Sequence, residues 1–136
     1  MKKRIISSLI VVAAVMMVAV ISGFRPTPKP WSVPEKFLKM TNPLKADADV
    51  IKDGKGIWVK HCQSCHGKTG LGDGPKAAQL KTEPGDLSSS EAQKQNDGSL
   101  FYKISEGRDD MPSFKKKLQD EEEIWQVIIF LRTLKK

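Results

Sequence analysis

Cysteine is scarce in this chain of 136 residues: there are two, Cys62 and Cys65. No second Cys-x-x-Cys pair exists to complete a zinc ribbon. Histidine is equally scarce, and Cys62, Cys65, His66 and His61 stand too close along the chain to surround one tetrahedral ion. Alternating strand patterns are missing around the pair, which removes the βαβ setting of a redox-active Cys-x-x-Cys. Acid is nearly missing from the first third. Residues 1–46 hold eight Lys or Arg against one acid, Glu35, while residues 47–136 hold fifteen of each sign. The net charge of +7 therefore belongs to the N-terminal part. It speaks for a membrane surface, where anionic lipids attract basic residues, and not for nucleic acid.

The N-terminus lacks an Ala-x-Ala cleavage site, and no cysteine follows it to carry a lipid. It opens with Met1-Lys2-Lys3-Arg4, and an apolar run then extends from Ile5 to Phe24, broken only by Ser7, Ser8, Ser22 and Gly23. Two readings compete. One is a secretory signal peptide with Val20 and Ser22 at the cut. The other is an uncleaved transmembrane anchor, favoured by a length of about 20 residues, near that needed to span a bilayer. Arg25, Lys29, Lys36 and Lys39 nearly balance the charges before the run, so the positive-inside rule alone does not orient it. Residues 25–46 read as a linker. Pro26, Pro28, Pro30, Pro34 and Pro43 favour extended backbone there, with Trp31 and Phe37 available to pack on the domain or to sit at a membrane interface. Residues 47–136 are the expected domain.

What the chain does have is Cys62-Gln63-Ser64-Cys65-His66, which uses every cysteine. This spacing is the attachment signature of c-type haem: each thiol adds to one porphyrin vinyl group, and the next imidazole faces the iron. A plain disulfide would leave His66 unexplained. Attachment of such a haem outside the bacterial cytoplasmic membrane places residue 25 onward on the periplasmic or outer side. A sixth ligand is then needed, or an open site. His61 lies on the wrong side of the attachment point. Met111 is the one methionine after the motif, in Gly107-Arg108-Asp109-Asp110-Met111-Pro112-Ser113-Phe114. Its soft sulfur suits haem iron and raises the reduction potential. The competing reading is a methionine filling a core gap, against which its loop position before a proline argues.

Helical periodicity predicts a helix from Asp47 or Asp49 to His61, with Val50, Ile51, Gly54, Ile57, Trp58 and Cys62 on one face. Gly54 is costly inside a helix, so close approach of another helix is expected there. Gly67, Gly70, Gly72, Gly74 and Pro75 predict a turn-rich loop after His66, and Lys76 to Leu80 a short helix. Residues 81–95 read as loop with one helical turn. Asp97 is the candidate cap of a helix over Ser99 to Glu106 that Gly107 ends. Asp120 caps the last helix with Glu123 three residues on, and that helix is apolar almost all round, hence buried on more than one side.

From about residue 48 onward the chain resembles the class I monohaem cytochromes c. The resemblance rests on Gly54-Lys55-Gly56-Ile57-Trp58, Cys62-Gln63-Ser64-Cys65-His66-Gly67, Gly72-Asp73-Gly74-Pro75, Met111-Pro112 and Phe130-Leu131-Arg132. It implies an all-α class I cytochrome c fold with crossed N- and C-terminal helices around one covalently bound haem c, Gly54 meeting Phe130. It also implies His66 and Met111 as axial ligands, and a Pro75 carbonyl that accepts a hydrogen bond from the His66 ring. The expected role is electron transfer without catalysis, as a membrane-tethered or periplasmic carrier of a respiratory chain. Its redox protein partners would be a quinol-oxidising complex and a terminal oxidase or reductase. Lys115, Lys116 and Lys117 could steer an acidic partner. The alternatives are a haem c subunit fixed in a larger oxidoreductase complex, or a haem-based ligand sensor or weak peroxidase.

Overall fold

A computed structural model describes residues 30–118 and 120–136. The expected anchor or signal segment, residues 1–24, lies outside the described residues. Among the described residues no helix is long and apolar enough to cross a membrane. The chain divides into two compact units, residues 1–32 and 33–136, and the second carries every element considered below.

That unit holds six short or medium α-helices and no strand among the described residues: α1 Glu35–Leu38, α2 Ala48–His61, α3 Gln63–His66, α4 Ser90–Gln93, α5 Asp97–Glu106 and α6 Glu121–Arg132. A single 3₁₀ turn, Ala77–Gln79, lies between α3 and α4. Caps fix the starts of the long helices. Asp47 accepts from the Asp49 and Val50 amides at the head of α2. Asp120 accepts from the Glu123 amide at 3.1 Å at the head of α6, a bond worth about 1 kcal/mol. At α5 the cap is Asn96 rather than Asp97: its side chain takes the Ser99 amide at 2.7 Å. Asp97 enters the first turn instead and is left available to Arg132.

Helices α2 and α6 cross where Gly54 stands. A Cβ there would lie 2.1 Å from the Gln126 carbonyl oxygen and 3.1 Å from Phe130 Cβ, so only glycine allows the two backbones this close. The expected meeting of Gly54 with Phe130 is therefore seen. Around the crossing, Trp58, Leu100, Phe101, Ile104, Phe114, Trp125, Ile128, Phe130 and Leu131 form one buried cluster. Phe101 stacks on Trp125 with centroids 4.4 Å apart, and Trp58 tilts onto Phe130 at 5.7 Å. Seven successive or near-successive residues of α6 are buried, from Ile124 to Leu131, as expected of a helix apolar almost all round.

The domain begins earlier than its proline content suggested. The boundary expected at residues 46 and 47 falls at Val33, and residues 33–46 lie on the domain as a strap. The ring of Phe37 packs on Tyr102 at 4.8 Å and on Phe101 at 6.4 Å, and Met40 and Leu44 rest against the core. Asn96 donates to the Leu38 carbonyl and Asn42 to the Trp125 carbonyl. Proline removed donors from this strap, but side-chain amides and apolar contacts hold it down.

Candidate haem site

The end of α2 runs almost directly into α3, so the attachment motif is itself a helical turn. Cys62 closes α2, its amide bonded to the Trp58 carbonyl at 2.8 Å, and the His66 amide reaches back to the Cys62 carbonyl at 3.0 Å. Both cysteines and His66 are half-buried, and the thiols are not bridged to each other. Burial, helped by the neighbouring Cys65, pushes the Cys62 thiol up to about 12, which favours its protonated form at neutral pH.

The glycine-rich loop then folds back over α3 and covers the carbonyls that a helix end leaves unsatisfied. The amides of Gly72, Gly74 and Lys76 bond to the carbonyls of His66, Cys65 and Ser64 at 2.9, 3.2 and 2.8 Å. A Cβ at position 74 would lie 2.5 Å from the Ser64 carbonyl oxygen, which explains a glycine at the closest approach. Trp58 fastens the far side. Its indole N–H donates to the Gly67 carbonyl at 3.2 Å, and its ring lies 5.9 Å from that of His66. One buried residue thus touches the helix crossing and the motif together.

The His66 ring is buried enough to hold its basicity below the ordinary histidine value, and its Nδ1 is buried with no hydrogen-bond partner. The bond expected from this ring to the Pro75 carbonyl is therefore not made. Pro75 is exposed, and the bonds its loop makes to α3 come from the amides of Gly72, Gly74 and Lys76. Neutral imidazole is the form in which histidine binds metal, and the lowered basicity favours that form.

Met111 lies half-buried on the other side of the chain order, packed against the core between α5 and α6. It sits in a tight turn: Arg108 and Met111 exchange amide–carbonyl bonds of 2.8 and 2.9 Å, with Asp109 at φ 52° between them. Downstream, Ser113 Oγ donates to the Ser105 carbonyl, and Phe114, 5% exposed, anchors the loop in the core. The three lysines that follow are exposed, but Lys115 pairs with Glu106 and Lys117 lies 5.4 Å above the Phe114 ring. That partly accounts for the run without a partner.

Among the described residues no three His, Cys, Asp or Glu are grouped to hold a metal ion. A porphyrin brings four in-plane nitrogens and asks only axial ligands of the protein, so this donor set suits haem and not a bare cation. Two unbridged thiols beside an unpartnered neutral imidazole fit a covalently held haem. Sequence reading missed the Trp58 indole bond, although Trp58 and Cys62 share a helical face. It also missed the partners of Asp110 and Arg132, which lie far away along the chain.

Comparison with known proteins agrees. Residues 49–131 match the family described as cytochrome c oxidase, cbb3-type, subunit III. Among solved structures, a chain of the Kuenenia stuttgartiensis reducing HAO-like protein complex Kustc0457/Kustc0458 is 25% identical with a TM-score of 0.63. The match covers 85% of this chain and 54% of that one, so this chain spans about half the length of its relative. The KustC0563 c-type cytochrome is 30% identical over 62% of this chain and 99% of its own, with a TM-score of 0.54. Cytochrome cL of the marine methylotroph Methylophaga aminisulfidivorans shares the fold at 24% identity and a TM-score of 0.54, over 82% of this chain and 71% of its own. A search of curated proteins gave no match.

Proposed function

The chain belongs to the cbb3-type cytochrome c oxidase subunit III family of c-type cytochromes, and on that footing we propose that it is an electron carrier tethered to a membrane or held in the periplasm. The fold is the all-α class I cytochrome c fold, and haem c bound covalently through the Cys62-x-x-Cys65-His66 motif goes with the family. When bound, the haem iron supplies the chemistry: it takes up one electron and passes it on. Cys62 and Cys65 would hold the porphyrin as thioethers, and His66, its ring backed by Trp58, would ligate the iron. Met111 would supply the second ligand and keep small molecules off the iron. The buried ring of Trp58 packs beside His66 and against Phe130.

The observation that carries this reading is the helical turn that sets His66, its basicity lowered by burial, directly after two unbridged thiols. If Met111 fills the sixth place, the sensor and peroxidase readings lose their open site. A subunit fixed in a larger redox complex stays as the second reading, favoured by the family's name and by the HAO-like complex to which one structural relative belongs. The basic N-terminal segment would hold the haem domain at the outer face of a bacterial membrane, reaching donors and acceptors such as a quinol-oxidising complex and a terminal oxidase or reductase.

Optical spectra of the membrane fraction test this. The oxidised protein is expected to show a sulfur-to-iron charge-transfer band, and the ferrous protein to ignore carbon monoxide. Ready carbon monoxide binding with no such band would refute the carrier reading. Constant co-elution with a large complex would favour the subunit reading.

A further inference from the structure

The turn that carries Met111 is tied to a distant segment by a single carboxylate. Oδ2 of Asp110 accepts hydrogen bonds from the backbone amides of Lys81, at 2.7 Å, and Thr82, at 3.0 Å, twenty-nine and twenty-eight residues away. Two amides converging on one anionic oxygen form a small anion nest, and such charge-assisted bonds are stronger than neutral ones. Asp110 is the immediate neighbour of Met111, and the turn geometry makes the two move together. The Arg108–Met111 bridge closes around it, and a Cβ on Gly107 would lie 2.5 Å from the Met111 carbonyl oxygen. Downstream the turn is fixed by Ser113 and Phe114. Upstream of Met111, the bond from Asp110 runs to the segment that follows the 3₁₀ turn, itself hung from α3 through Lys76 and Ser64. The carboxylate thus links the loop of one axial residue to the loop that grows out of the motif of the other.

We infer that Asp110 is a positioning residue, a latch between the Met111 turn and the 81–82 segment that sets how firmly the Met111 sulfur holds the sixth place on the iron. The inference rests on the Met111 ligation proposed above. Asp110 does not touch the iron or the porphyrin; it acts through the backbone. Asp109, equally acidic and one residue further from Met111, pairs instead with Arg108 inside the turn. It therefore serves as the charge control.

The test uses the full-length, haem-loaded protein and free imidazole as a competing ligand. Loss of the sulfur-to-iron band is followed as imidazole is added. Asp110→Ala is expected to lose half the band at an imidazole concentration about tenfold below wild type, the scale of one hydrogen bond to a charged group. Asp110→Asn, which keeps a neutral acceptor, should fall between them. Asp109→Asn should follow wild type, since asparagine accepts the left-handed backbone there. In parallel, the Lys81 and Thr82 amides should exchange with deuterium faster in Asp110→Ala than in wild type. Asp110 is exposed, and circular dichroism will confirm that its variants fold. An unchanged midpoint in Asp110→Ala overturns the latch while leaving Met111 ligation intact. So does an equal shift in Asp109→Asn, or unchanged exchange at Lys81 and Thr82. A wild-type protein without the band overturns Met111 ligation and the latch with it.

Discussion

The middle of helix α2 and the segment that follows its end are built by different means. At Gly54 the helix is held by volume: its backbone rests against Gln126 and Phe130 of α6, and the neighbouring side chains interlock with few polar contacts. At His61 and beyond it is held by main-chain hydrogen bonds. The loop after the motif spends three amides on the carbonyls of Ser64, Cys65 and His66, and its glycines leave little side chain to pack. Volume makes the first region rigid and intolerant of added atoms. Hydrogen bonding fixes the backbone of the second region with little side-chain packing.

The sharpest way to break the contrast is to add volume at the crossing. Gly54→Val is expected to cost about 3 kcal/mol, because the new atoms meet backbone that cannot rotate away. Thermal unfolding should show this as a midpoint lower by roughly 15 °C. If the midpoint moves no more than an average surface substitution does, the crossing is not volume-limited. A smaller effect is expected where polar contacts join the end of α6 to its neighbours. Arg132 donates to the Gln93 carbonyl at 2.8 Å, to the Gln95 carbonyl at 2.6 Å and to Asp97 Oδ1 at 3.0 and 2.5 Å, tying the end of α6 to the α4–α5 corner. Lysine keeps the charge but not the planar fork. Arg132→Lys should therefore lose about 2 kcal/mol in chemical denaturation, and a loss near zero would show the fork to be ornamental.

The smallest effect concerns Asp86, which fastens the C-terminus to the loop region. Its carboxyl is held below the usual carboxylate range, first by the Ser88 hydroxyl and also by the Ser88 amide and Lys136. A carboxyl whose folded value is depressed adds stability above its unfolded value, and that stability is lost as pH falls through the folded value. Asp86→Asn should thus unfold slightly more easily than wild type at pH 7, and the two should converge in acid. A gap that persists at low pH would mean that charge is not the cause.

Much of the fold was legible because it depends on local pattern. Asp47 and Asp120 announced two helix starts, and Gly54 announced a crossing because nothing else explains glycine in mid-helix. The motif from Cys62 to His66 announced the cofactor because its spacing is chemistry in itself. The cap of α5 was misplaced by one residue, since Asn96 and Asp97 are both good caps and Arg132, thirty-five residues away, claims the second. The strap over residues 33–46 was hidden by its prolines. Its attachment comes from Asn42, Asn96 and Phe37, whose partners lie on distant helices. The Pro75 bond was expected from family likeness alone, and His66 Nδ1 is left without a partner. The Asp110 latch was illegible for a similar reason: two amides twenty-eight and twenty-nine residues away leave no mark on the local sequence.

The central proposal is that the turn between α5 and α6 supplies Met111 to haem iron and so sets the potential at which electrons move. The most direct test is the reduction potential of purified protein beside that of Met111→His. Sulfur favours the ferrous state relative to a second imidazole, so the account predicts a clear fall in potential together with loss of the sulfur-to-iron band. An unchanged potential with an unchanged spectrum would contradict it.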